Sequence, residues 1–268
     1  MRGLTALLLT AVVCVGCANG SPPQASPTTG KAAISLESLG VDWPAAGDEV
    51  DPPKLPAVPG GISEELIGRM AGILTTWATA AALDDGVWHG ADPLATVSAA
   101  LPKTASAMLR KQVKGEVSPH LAVANVFASD VTIVGVPRIT SAWKLSKAKD
   151  DSGRPYARLE LQTRTAYEVR LGSEPSRVIG LLRVHGLTAY PDTTDDFGVA
   201  GGWQEFGAGD CSLALDDALR PDSDLDQAAE DLATFVKVGD SAKLRMPPLG
   251  VQEQVDAEYL KRCREGQV

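Results

Sequence analysis

The stretch from residue 159 to residue 171 alternates most regularly. Leu159, Leu161, Thr163, Thr165, Tyr167, Val169 and Leu171 share one parity; Arg158, Glu160, Gln162, Arg164, Ala166, Glu168 and Arg170 share the other. A period of two places successive side chains on opposite faces of a strand. The pattern predicts a long strand with one face buried and one in water. After a turn at residues 172–176, residues 177–190 are apolar on both parities and predict a more central strand. Upstream, residues 126–148 hold one or two strands. Pro137 lacks the N–H a ladder needs, so it marks a bulge, a bend or an edge. Asp150-Asp151-Ser152-Gly153 is a turn sequence. A loop rich in Asp and Thr then leads to a further strand expected at residues 202–213.

The period changes to that of a helix on either side of these strands. Leu66, Met70, Ile73 and Trp77 form one apolar stripe. Ser63 stands where a cap belongs, with Glu64 and Glu65 at the positive end of the helix dipole. Ile62 and Ile67 have the spacing of a hydrophobic staple, and Asp84-Asp85-Gly86 ends the element. Asp92-Pro93 opens a second, short helix with Leu94, Val97 and Leu101 inward. Pro102 opens a third with Met108, Leu109 and Val113 inward, ending at Gly115. Residues 224–236 and 252–263 read as two C-terminal helices. Helices, then a meander of antiparallel strands, then helices is an α+β plan. The expected architecture packs the N-terminal helices on a curved antiparallel sheet and staples the C-terminal helices by a disulfide.

The first residues follow a different rule. Arg2 precedes an apolar run, residues 4–15, which ends at Gly16-Cys17. The run is too short to span a bilayer and has the length of a signal-peptide core. A small residue directly before a cysteine, at the end of such a run, resembles the lipobox of bacterial lipoproteins. Gly16 fits that motif, Val15 is tolerated in it, and Cys14, where it usually carries Leu, departs from it. The resemblance implies residues 1–16 as a signal peptide and Cys17 as the lipidated first residue of the mature chain. It implies a protein on the extracytoplasmic face of the cell membrane. Two acyl chains hold firmly, because each buried methylene contributes about 0.8 kcal/mol.

Residues 17–61 carry the anchor and a Pro-rich tether, with eight of the 18 prolines. Fully extended at about 3.1 Å per residue, it would reach on the order of 130 Å. Ile34, Leu36, Leu39, Val41 and Trp43 interrupt it with a more apolar stretch that can lie on the domain. Residues 62–268 are then expected to form one α+β domain.

Charge and cysteines narrow the setting. The formal net charge is −9; losing Arg2 with the leader leaves 24 cations against 34 acids. That balance argues against nucleic acid and against docking on anionic lipid. With Cys14 discarded and Cys17 modified, Cys211 and Cys263 remain as an even pair in an oxidising compartment, which reads as one disulfide. Two buried free thiols are the alternative. They lack the spacing and the histidines of a metal site, and no metal or cofactor is expected.

Candidate chemistry is sparse. His89, His120 and His185 are the only histidines. The element order resembles the NTF2-like and cystatin-like folds, in which a cone between helices and sheet often holds a ligand. In such an enzyme His185, mid-strand, would face the cone and need a carboxylate partner for proton transfer. Its other reading is a packed strand histidine. His89 follows Trp88 in a loop and His120 follows Pro119; neither has a partner at useful spacing. Trp77, Trp143 and Trp203 either line an apolar pocket or supply the core's largest pieces; core is the reading adopted. Asp192, Asp195 and Asp196 lack the Gly and distal Glu of a calcium loop and are read as a solvated acidic loop. The expected function is a non-enzymatic binding or accessory module of the cell envelope, contacting an envelope protein or a small apolar ligand. An enzyme around His185 and a purely structural envelope protein are the alternatives.

Overall fold

The computed structural model describes residues 34–114, 119–237 and 257–265. Cys14, Cys17, Gly115 and residues 252–256 lie outside the described residues, so the expectations placed on them are not addressed by it.

The fold is α+β. Helices α1 (Glu64–Leu83), α2 (Asp85–Trp88), α3 (Pro93–Ala99), α4 (Lys103–Val113) and α5 (Pro119–Val123) come first. Strands β1 (Val131–Ile133), β2 (Arg138–Lys149), β3 (Pro155–Leu171), β4 (Arg177–Ala189) and β5 (Gly198–Phe206) follow, and then α6 (Asp210–Asp216), α7 (Leu225–Lys237) and α8 (Ala257–Arg264). Strands β2 to β5 form an antiparallel meander, and β1 and β2 both pair with β3 along the same edge. Pro137 sits in the break between β1 and β2, where no ladder donor is required.

Helix α1 follows its sequence pattern. The Ser63 hydroxyl accepts from the Leu66 N–H at 3.1 Å, and Leu66, Ile67, Met70, Leu74 and Trp77 are buried. It is long and apolar enough to cross a membrane by length and composition. Here its apolar residues belong to the main core, against the face of β3 and β4 that carries Leu159, Leu161, Tyr167, Leu181 and Leu187. Asp92 caps α3 through Ala95 N–H at 2.8 Å, with Pro93 at its first position. Met108, expected inward on α4, is 38% exposed. It lies instead at the β5 edge, where its Sδ accepts from the Val199 N–H.

Three expectations are corrected. First, the even-numbered face of β3 is only partly left to water: Arg158 and Arg170 are exposed, but Glu160, Arg164 and Ala166 are buried. Ala166 joins a second apolar cluster with Val178, Leu182, Phe206, Leu232 and Phe235, covered by α7 and by Ile34, Leu36, Leu39, Val41 and Trp43. Arg164 lies under the Trp43 ring at 4.7 Å, and Glu160 is buried between Lys144 and Arg158. Phe235 presses so closely on β4 that a Cβ at Gly180 would come within 2.5 Å of its ring.

Second, the strap on the domain is longer than expected: the apolar stretch from Ile34 to Trp43 lies on it as anticipated, and residues 44–61 lie on it too. Val50 is buried, and its N–H donates to Thr79 Oγ1. The Ala46 N–H donates to the Pro137 carbonyl, and the Ile139 N–H to the Pro44 carbonyl. Trp143 Nε1 donates to the Pro53 carbonyl at 2.9 Å, and Lys147 Nζ to the Gly60 carbonyl at 2.8 Å. The folded part therefore takes in residues N-terminal to the expected boundary at 61/62.

Third, the last strand ends at Phe206, and Cys211 lies on α6 rather than on a strand. Cys211 is bonded to Cys263 of α8, with the Cα atoms 5.2 Å apart, inside the range such bonds require. The bond thus joins two helices.

Candidate functional site

His185 points from β4 toward α1, as its parity with Leu181 and Leu187 requires. It is 2% exposed and meets the Trp77 ring edge-on, with centroids 4.8 Å apart. Burial, and secondarily the Arg183 charge, pull its pKa down to about 3, so the ring is neutral at physiological pH. Among the described residues its Nε2 and Trp77 Nε1 have no hydrogen-bond partner. Among the described residues it makes no ion pair with a carboxylate.

Arg183, two residues before His185, is the unexpected group. It is 2% exposed. Its Nη2 donates to the carbonyls of Leu121, at 2.6 Å, and Ala124. Nη1 reaches the Ala122 carbonyl at 3.5 Å, and Nε donates to Asn125 Oδ1. Asn125 Nδ2 donates to the Tyr167 hydroxyl at 2.6 Å, which donates in turn to the Ala82 carbonyl at 2.6 Å. Asn125 N–H donates to the Ala81 carbonyl at 2.8 Å. The buried chain of groups thus links α1, the end of α5, β3 and β4. Desolvation lowers the Arg183 pKa to about 9 and raises that of Tyr167. The guanidinium stays charged at neutral pH, with α5's C-terminal carbonyls, the negative end of its dipole, as its acceptors.

The N-terminal end of α5 is held by a carboxylate. Asp217 accepts from the His120 N–H at 2.7 Å and from the Leu121 N–H at 3.1 Å. Its Oδ2 lies 3.5 Å from His120 Nδ1. Desolvation raises the Asp217 pKa against these contacts. Asp217 adopts φ 50°, the left-handed region, and among the described residues it is the one non-glycine to do so. His120 has no partner at local spacing, as expected; its partner comes from 97 positions away. His89 is also engaged, with Nδ1 3.3 Å from the Phe127 carbonyl.

These residues converge on a surface cleft of about 370 Å³ lined by His89, His120, Phe127, Asp216, Asp217 and Arg220, among others. Arg220 pairs with Asp130 at 2.9 Å. The sequence carried no signal for this grouping, because neither histidine has a partner at local spacing.

The other candidates resolve into packing. Trp77 and Trp203 belong to or pack on the main core, and Trp143 is fixed to the strap. The acidic loop is tied down: Arg154 pairs with both oxygens of Asp192 at 2.7 and 2.8 Å. Arg69 donates to the carbonyls of Thr193 and Thr194, and Thr104 to that of Asp195.

No family model, no curated protein and no solved structure matches this chain.

Proposed function

We propose that the chain is an exported lipoprotein of the bacterial cell envelope, anchored through Cys17, whose folded domain acts by binding rather than by catalysis. The observation that carries the reading is the Cys211–Cys263 bond. It uses both cysteines of the domain and suits an oxidising compartment. Cys17 then directly follows the apolar run and Gly16, where the lipobox resemblance implies the lipidated cysteine. The domain would stand on the extracytoplasmic face of the membrane and present its surface to an envelope protein or small ligand.

Binding is favoured over an NTF2-like enzyme by the state of the interior. Such an enzyme needs a wet cone and a proton-transfer pair around His185. The side chains facing α1 from β3 and β4 instead pack as core, and His185 stands against Trp77 and feels the charge of Arg183.

Cys17→Ala tests the anchor. Expressed in a bacterial host with a lipoprotein pathway, the wild-type chain incorporates labelled fatty acid and enters the detergent phase on partition. The variant should lose the label and accumulate as unprocessed precursor. A variant that matures and partitions like wild type would refute the anchor.

A further inference from the structure

We propose that the gap between the strap and the edge of β2 binds a short extended peptide carrying a basic side chain. The strap pairs with the start of β2: the Ala46 N–H donates to the Pro137 carbonyl and the Ile139 N–H to the Pro44 carbonyl. The pairing stops there, because Pro44 has no N–H to return to the Ile139 carbonyl. The strap next fastens to β2 at Trp143, whose Nε1 donates to the Pro53 carbonyl at 2.9 Å. Between these two attachments lies a cleft of about 500 Å³, whose lining includes Glu49, Asp51, Pro52, Ile139, Thr140 and Ser141.

Register decides what the strand offers to this cleft. The Ile139 N–H points away from β3, so Ile139 and Thr165 are a non-hydrogen-bonded pair. Ser141 and Thr163, two residues on, are another. The N–H and C=O of Ser141 therefore face the cleft, and among the described residues no backbone group of the strap pairs with them. A main-chain donor and acceptor side by side on a strand edge are what an added strand pairs with. From Ile139 to Trp143 the strand rises roughly 13 Å, at about 3.3 Å per residue. The opening thus takes a segment of about three residues rather than a long strand.

The side chains choose the ligand. Glu49 and Asp51 are exposed, and among the described residues neither forms an ion pair. No Lys or Arg is among the described residues that line the cleft. Two carboxylates without a local cation favour a positively charged ligand. Pro52 and Ile139 offer apolar surface for the methylenes of a Lys or Arg side chain. The inference rests on the reading of the domain as a binding module and gives that reading a site; it does not depend on the lipid anchor.

The test is calorimetric titration of the purified full chain with three end-blocked tripeptides: Ala-Lys-Ala, Ala-Glu-Ala, and Ala-Lys-Ala methylated on its main-chain nitrogens. The lysine peptide should bind at one per chain, more weakly as salt rises. The glutamate peptide and the methylated peptide should each bind at least tenfold more weakly; the methylated one reads main-chain pairing without altering the protein. Glu49→Gln and Asp51→Asn should each weaken the lysine peptide about two- to fivefold, the scale of an exposed ion pair. Both positions are exposed, so these variants read the site in an intact fold. The Ser141 amide resonance should shift on addition of the lysine peptide and stay in place with the methylated one. No binding of the lysine peptide would overturn the site and leave the anchor, which Cys17→Ala reads separately, untouched. Equal binding of the glutamate or methylated peptide, or binding that both variants leave unchanged, would also overturn it.

Discussion

Lowering the pH should destabilise this fold through His185. The ring is 2% exposed, and burial pulls its folded pKa to about 3 against an unfolded value of 6.5. The folded state therefore refuses a proton that the unfolded chain accepts. A base with a depressed folded pKa leaves stability untouched above 6.5 and removes it as pH falls from there toward 3. At pH 7.5 the effect is near zero. At pH 5 the unfolded ring is almost fully protonated and the folded ring is not, which costs about 2 kcal/mol at about 1.36 kcal/mol per unit of pH below 6.5. Near pH 3 the cost approaches roughly 4–5 kcal/mol. Against a typical domain stability of about 5–15 kcal/mol, that is sufficient to drive acid unfolding.

The assay is urea unfolding of wild type and His185→Phe at pH 7.5, 6 and 5. Phenylalanine keeps a ring against Trp77 and removes the titrating group. The variant's stability at pH 7.5 reports packing alone. The difference between the two proteins should then shift by about 2 kcal/mol toward the variant between pH 7.5 and 5, with His89, His120 and every carboxylate common to both. A difference that stays constant with pH would refute the reasoning, for it would mean that water reaches His185 and lets it protonate in place.

Tyr167→Phe keeps the ring's shape and removes the hydroxyl that accepts from Asn125 and donates to Ala82. It should cost about 1–3 kcal/mol, because both partners are left buried, and a urea midpoint equal to wild type would contradict it. Reduction of Cys211–Cys263, or Cys263→Ser, releases a span of 52 residues and should cost about 4 kcal/mol in the chain-entropy account. Hydrogen exchange should rise first in α8 and α6 and leave β3 and β4 protected; uniform exchange throughout the sheet would show the bond to be integral to the main core.

Part of this fold is legible in the sequence because local chemistry decides it. The Ser63 cap and the Leu66–Met70–Trp77 stripe place α1. Strict alternation places β3, and cysteine parity places the disulfide. The misreadings share a cause: they depend on partners far along the chain. A Pro-rich segment lacks periodicity whether it hangs free or lies as a strap. What holds the strap here is largely its own carbonyls, those of Trp43, Pro44, Pro53 and Gly60, which any composition would supply. The polar face of β3 is covered because long side chains can lie under apolar ones, as Arg164 does beneath Trp43. The alternation expected to run through Leu213 stops at Phe206, where Gly207 takes φ +71 and turns the chain into α6. Asp217 was invisible as a partner for His120 because the pair is made by tertiary placement and not by spacing.

The treatment of α5 connects the core to the cleft. A helix of five residues does not hold itself together, since nucleation alone outweighs so few hydrogen bonds. This one is clamped at both ends by charge of the right sign: Asp217 at the positive end and Arg183 at the negative end. Neither clamp is cheap. Asp217 is held in a left-handed backbone conformation, and Arg183 is a cation buried against neutral acceptors, where desolvation costs several kcal/mol before its hydrogen bonds offset it. A well-packed methionine at 183 would fill similar volume without that cost, but it would leave the carbonyls of Leu121, Ala122 and Ala124 unpaired and α5 free to unwind. The element so fixed contributes Leu121, Ala122 and Val123 to the core, yet three apolar residues could be placed more simply. What the two clamps specify beyond burial is the position of His120, which lines the cleft. The interior polar network and the cleft carboxylate thus hold one short helix from opposite ends, Arg183 from within the core and Asp217 from the cleft.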